Sequence, residues 1–268
     1  MTWISLRKSG CSPIWIWAVI AFFSGFWILQ ADAVRAQDSD SSKVTNQLWA
    51  DYYRYWRLKP SVQFYGDMGF RYLIDDGSWW VANIRPSVRL MQGNWIEPRG
   101  GLGVFFTYNE QDSNQLELRP WQGALIRWPT VNDRLHLHHY FRAEERLQWQ
   151  TQMDWEFSAQ LRLRYRIGSG LPLPILHPAH HFSVPLSAEW FLNMGDDLNE
   201  RFFSRARYTV GIRDTINDRW SVELLFTLQE SRSSAEESFD LSDRLFQVRI
   251  RHFIQSRDMR TKMALDDQ

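Results

Sequence analysis

Arginine recurs at alternate positions along this chain, once with an acid taking the middle place: Arg142-x-Glu144-x-Arg146, Arg162-x-Arg164-x-Arg166, Arg205-x-Arg207 and Arg249-x-Arg251. A spacing of two puts such residues on one face of a β-strand. Guanidinium and carboxylate groups meeting on neighbouring strands make bidentate pairs. In excess, guanidinium groups make a positive field that draws phosphates, carboxylates or sulfated sugars. His136 and His138 share a polar face and raise a second chemistry, acid–base work on a lipid ester. No G-x-S-x-G elbow accompanies them and no serine is tied to them by spacing, so hydrogen-bonded filling is the plainer role. His177, His180 and His181 are spaced to hold a metal, but with no cysteine or clear carboxylate partner they read as exposed turn residues. No metal or other cofactor is expected. Neither a phosphate-cradling glycine loop nor a nucleic-acid motif is found.

The elements that must carry these groups are strands. In Asp154 to Ile167, Trp155, Phe157, Ala159, Leu161, Leu163, Tyr165 and Ile167 alternate with a wholly polar row. Similar alternation recurs in about eleven segments between Gln47 and Phe253. Many run roughly 11–14 residues, against a mode of about 5–6 in soluble proteins. At ~3.3 Å per residue and a tilt near 40° they span roughly the 25 Å apolar band of an outer membrane. Charge is balanced, with 31 basic and 31 acidic residues, so no bulk field favours nucleic acid. The 15 tryptophans suit a membrane barrel, where Trp and Tyr settle at both interfaces. Trp56, Trp95, Trp128 and Trp220 flank short connections, and Trp79, Tyr108, Trp149 and Trp155 flank longer ones. These predict two aromatic girdles, with the short turns facing the periplasm. The long Pro-rich turn Gly168–His181 breaks that rule.

Residues 1–36 read as a secretory signal: Arg7 and Lys8, an apolar run from Ile14 to Leu29, then small residues up to Ala36. Cys11, the one cysteine, lies within it. Residues 37–46 read as a flexible start, 47–254 as the barrel and 255–268 as a polar tail.

The order Trp49, Glu117-x-Arg119-x-Trp121-Gln122, Arg142-x-Glu144-x-Arg146, Arg162-Leu-Arg164-Tyr165-Arg166, Glu189 and Arg205-x-Arg207 resembles the bacterial outer-membrane family filed as domain of unknown function 2490. The resemblance covers about residues 47–254; the Gly168–His181 turn departs from it. It implies an outer-membrane β-barrel and no established activity.

The expectation is an all-β, transmembrane antiparallel barrel of about 10–12 strands. An odd count would make the first and last segments run the same way, and bacterial single-chain barrels have even counts, so ten or twelve is expected. A mid-membrane arginine facing lipid costs ~2–4 kcal/mol. The charged row must therefore line the lumen: Arg85, Arg89, Arg99, Glu117, Arg119, Arg142, Glu144, Arg146, Glu156, Arg162, Arg164, Arg166, Glu189, Arg205, Arg207, Glu223, Arg249 and Arg251. The role read from this row is structural, or a narrow pore for small anionic solutes. A lipid hydrolase using the lumen-facing histidines is the alternative. Outer-membrane lipids are the expected partners, and small anions the candidate solutes.

Overall fold

The computed structural model describes residues 44–91, 95–110, 112–128, 136–151, 156–173, 181–194, 201–232 and 238–254. The expected signal segment with Cys11, residues 37–43, Trp155, His177, His180 and the tail from 255 lie outside the described residues.

Eleven strands are described: β1 (Thr45–Lys59), β2 (Val62–Leu73), β3 (Trp79–Leu90), β4 (Ile96–Asn109), β5 (Gln115–Arg127), β6 (His136–Gln150), β7 (Glu156–Leu173), β8 (His181–Met194), β9 (Arg201–Thr215), β10 (Trp220–Ser231) and β11 (Asp240–Phe253). Each pairs antiparallel with its chain neighbour, and β1 closes on β11 to complete a barrel. That closing pair is parallel, with Thr45 opposite Asp243 and Tyr55 opposite Phe253. Eleven lies between the ten and twelve expected, so the expected even count is not met among the described residues: a parallel seam closes an odd number. With an odd number of up-and-down strands the two ends run the same way, so only a parallel ladder joins them. β1 starts two residues earlier than expected, at Thr45.

Alternation sets the two faces of the wall. On β2, Gln63 and Asp67 are buried inward while Met68 (54 % exposed) and Phe70 point out. Opposite Met68 on β3 stands Ile84, 52 % exposed, and on β7 Phe157 is 54 % exposed. Such apolar exposure on one face and charge burial on the other inverts the pattern of a soluble protein.

The aromatic girdles are largely as expected. At the short-turn end Trp56, Trp95 and Trp128 are exposed, and Trp220 stacks on His252 at 4.0 Å between ring centroids. At the other end the girdle residue of β3 is Trp80, not Trp79. Trp80 shares the outward phase of Ala82 and Ile84 and stacks on Tyr108 at 5.7 Å, whereas Trp79 has the inward phase of Asn83. Trp149 packs on Phe157 at 5.3 Å.

The Pro-rich turn is shorter than the sequence suggests. β7 continues to Leu173, which pairs with Phe182, and His181 opens β8 opposite Thr215. Glycines at 168 and 170 mimic a turn signal, but Gly168 is a strand position facing the ring of His138. A Cβ built there would sit 2.7 Å from that ring. A backbone that requires glycine is found instead between β2 and β3, where Gly77 has φ +70°.

Candidate functional site

The inward row brings carboxylates and guanidinium groups together across the ladder, because directly opposed residues share a face. On the β5–β8 side they form one connected chain. Arg146 donates to Glu117 through Nε at 2.7 Å and Nη2 at 3.1 Å. Arg119 Nε donates to the same Glu117 at 2.8 Å, and its Nη1 lies 4.0 Å from Glu144. Glu144 is fully enclosed (0 % exposed) and also takes Arg162 Nε at 2.8 Å and Arg164 Nη1 at 2.7 Å, with Arg142 Nε 2.8 Å away. Arg164 Nη2 then donates to Glu189 at 2.7 Å.

Three smaller groups complete the pattern. Glu97 lies between Arg99 and Arg127, each at 2.5 Å, with Arg89 at 3.4 Å. Glu223, also 0 % exposed, takes Arg213 Nε at 2.5 Å and Arg249 Nη1 at 2.9 Å, and Arg251 lies at 3.0 Å. Asp67 takes Arg85 Nε at 2.8 Å. Glu97, Glu117, Glu144 and Glu223 are each shared among several cations, the arrangement low-dielectric burial demands of an acid.

Aromatic rings carry the network around the bore. Arg119 lies 3.9 Å from the Phe105 ring centroid, and Arg71 lies 6.0 Å from the same ring and 4.1 Å from Trp49. Arg207 lies 5.1 Å from Trp49 and 4.8 Å from Phe191, and Arg164 is also 4.8 Å from Phe191. Since Arg164 and Arg119 both face Glu144, the chain of contacts closes on itself. It forms a belt drawn from β1, β2, β4, β5, β6, β7, β8 and β9. Guanidinium groups stacked on ring faces gain cation–π attraction while keeping their N–H edges for hydrogen bonds.

The belt surrounds a cavity of about 390 Å³ lined by fifteen arginines but only five acids, Asp51, Asp67, Glu117, Glu189 and Glu223. Two more acids, Glu97 and Glu144, are buried in the wall. An uncharged chain thus encloses a positive interior. A family model described as protein of unknown function (DUF2490) matches residues 46–240. The chain belongs to this family. No curated protein matches the chain. The match runs from β1 to the first residue of β11, so it takes in the whole Glu117–Glu144–Glu189 chain of this DUF2490 barrel.

Of the charged residues expected in the lumen, those just named with partners all face inward, as do Arg166, Arg205 and Arg207. Glu156 differs: it has the inward phase but is exposed, at the first position of β7 opposite Gln150. His138 lines the cavity, its ring over Gly168, and His139 faces outward, where its Nδ1 lies 2.7 Å from the Tyr165 hydroxyl. His136, at the start of β6, is opposite Gly170. His181, expected in a turn, is an exposed strand residue. Sequence reasoning missed the inward aromatics of the DUF2490 lumen, Trp49, Phe105, Trp121 and Phe191. Their phase betrays three of them: Trp49 is two residues from Asp51, Trp121 two from Arg119 and Phe191 two from Glu189.

Proposed function

We propose that this chain is an outer-membrane β-barrel with a filled lumen, a structural barrel and not an open channel. The observation that carries this reading is the inversion of burial. Glu144 and Glu223 are enclosed, while Met68, Ile84 and Phe157 stand on the outside, where lipid chains would cover them. A wall of strands 12 to 18 residues long is sufficient to cross the apolar band. Inside, arginines reach across the bore and stack on rings from other strands, around a cavity of about 390 Å³.

A second reading is favoured by one observation, the excess of fifteen lining arginines over five acids. It makes the bore a narrow passage for small anions. Planar-bilayer recording of the purified protein distinguishes the two. The filled lumen predicts no conductance above leak. Small anion-preferring steps support the passage instead, and cation preference contradicts both. Residence is tested separately by fractionation, where recovery with the outer membrane is expected and recovery in the aqueous fraction contradicts the reading.

A further inference from the structure

The acids of the belt crowd its β5–β8 side. Beyond that side, Arg71 on β2 and Arg205 and Arg207 on β9, the strand next to β8, have no carboxylate at ion-pair distance among the described residues, although Glu189 is the partner of Arg207 in register. The nearest acids make their hydrogen bonds elsewhere, and Asp51 keeps one oxygen, Oδ1, buried without a partner. Asp51 takes Gln247, Glu189 takes Arg164, and Asp243 is held by Thr45, Gln47, Gln229 and Ser242.

This side is also built to be rigid. Trp49, bracketed by Arg71 and Arg207 at 4.1 and 5.1 Å, donates from its Nε1 to Gln47 at 2.9 Å, and Gln47 donates to Asp243 at 2.7 Å. Arg207 Nε donates to Gln229 at 2.7 Å, which fixes the plane of its guanidinium. Arg205 has the same inward phase two residues away, and both Arg205 and Arg71 act on Arg207 as like charges. Arg71 Nε is buried without a hydrogen-bond partner. Clustered cations removed from water need a counter-charge. Three guanidinium groups, two of them beside one ring, with Arg71 Nε unused and Arg207 giving only its Nε to Gln229, offer forked donors to an anion with several oxygens.

We propose that Arg71, Arg205 and Arg207 form a binding site for a tetrahedral oxyanion of the phosphate or sulfate class, seated beside Trp49. The site deepens the filled-lumen reading and rests on it, yet it requires only the folded barrel, in a bilayer or a detergent micelle. The test is thermal unfolding of the full chain in lipid-free micelles, titrated with inorganic phosphate, inorganic sulfate or chloride at matched ionic strength. Phosphate or sulfate is expected to raise Tm saturably beyond chloride, and the lipid-free setting separates a free anion from a lipid headgroup. R71Q or R207Q is expected to weaken the apparent affinity about tenfold or more. R207K keeps the charge without the fork and is expected to fall between. R99Q, on the Glu97 side, is expected to leave the affinity within about twofold, since that arginine belongs to another group. Should R71Q and R207Q not fold, R205Q and the wild-type comparison carry the test. The proposal is overturned if phosphate, sulfate and chloride act alike on the wild type, or if the glutamine variants keep the wild-type affinity. An open bore in planar bilayers would contradict the filled lumen while the phosphate titration still reports on the site by itself.

Discussion

Arg164 on β7 donates to Glu144 on β6 at 2.7 Å, although Glu144 has no contact with solvent at all. This acid is the hub of the β5–β8 side: Arg119, Arg142, Arg162 and Arg164 all lie within 4.0 Å of it. Removing its charge leaves a cluster of buried cations uncompensated. E144Q is expected to destabilise the barrel by about 3–5 kcal/mol, read from the unfolding midpoint in detergent. E144Q/R162Q is expected to recover part of that loss, because a cation leaves with the acid. An E144Q protein as stable as the wild type would contradict the hub.

Glycines in the wall differ sharply in what they tolerate. A Cβ at Gly123 would lie 2.4 Å from the carbonyl oxygen of Phe141, whereas at Gly100 the nearest atom is 3.5 Å away. The first is a backbone clash that no side-chain rotation relieves. G123A is expected to cost about 1–3 kcal/mol and G100A no more than about 0.5 kcal/mol. Equal effects would show that the β5–β6 spacing differs from the one described.

The parallel seam predicts a cross-link. Ala50 on β1 is opposite Val248 on β11. The only native cysteine is Cys11, so a C11S background isolates an introduced pair. A50C/V248C is expected to form an intramolecular disulfide on mild oxidation, seen as altered mobility of the denatured chain on non-reducing gels. A50C paired with L228C, on β10, is expected not to cross-link, because β11 stands between those strands. Bridging of that second pair in preference to the first would rule out closure through β1 and β11.

Most of the wall was legible because side-chain phase is a local property. Each run of alternating Leu, Phe or Val against Arg and Glu declares a strand and its two faces. Closure is not local: β1 shows the same alternation whether its partner runs parallel or antiparallel, so the odd count with a parallel seam could not be read. End residues were uncertain for a related reason. Trp79 and Trp80 differ only in phase, and an interface tryptophan suits either. Gly168 reads as a turn because a residue without a side chain carries no phase, though its neighbour across the ladder, His138, needs that space. The site was legible as charge and illegible as assembly. Arg142, Glu144 and Arg162 announce themselves, but that Arg71 and Arg207 share Trp49 follows from three strands meeting across a bore.

A charge placed on the outer face tests what that face meets. Ile84 is 52 % exposed in mid-strand on β3. I84R is expected to destabilise the barrel in bilayers by about 2–4 kcal/mol and to slow its insertion into vesicles. S87R, on the inward face of the same strand, adds to an already positive lumen and is expected to hinder folding in detergent as well as in bilayers. I84R with unchanged stability in bilayers would be the behaviour of a water-facing surface.

The central claim, hydrocarbon outside and charge inside, is tested most directly by single-cysteine scanning along β7 from Phe157 to Ile167 in reconstituted vesicles, each site in a C11S background carrying an environment-sensitive fluorophore. The account predicts a period of two: blue-shifted emission quenched by nitroxide-labelled lipid at 161, 163, 165 and 167, and unquenched emission at 160, 162, 164 and 166. Lipid quenching at the arginine positions, or water-like emission along the Leu161–Ile167 row, would contradict it.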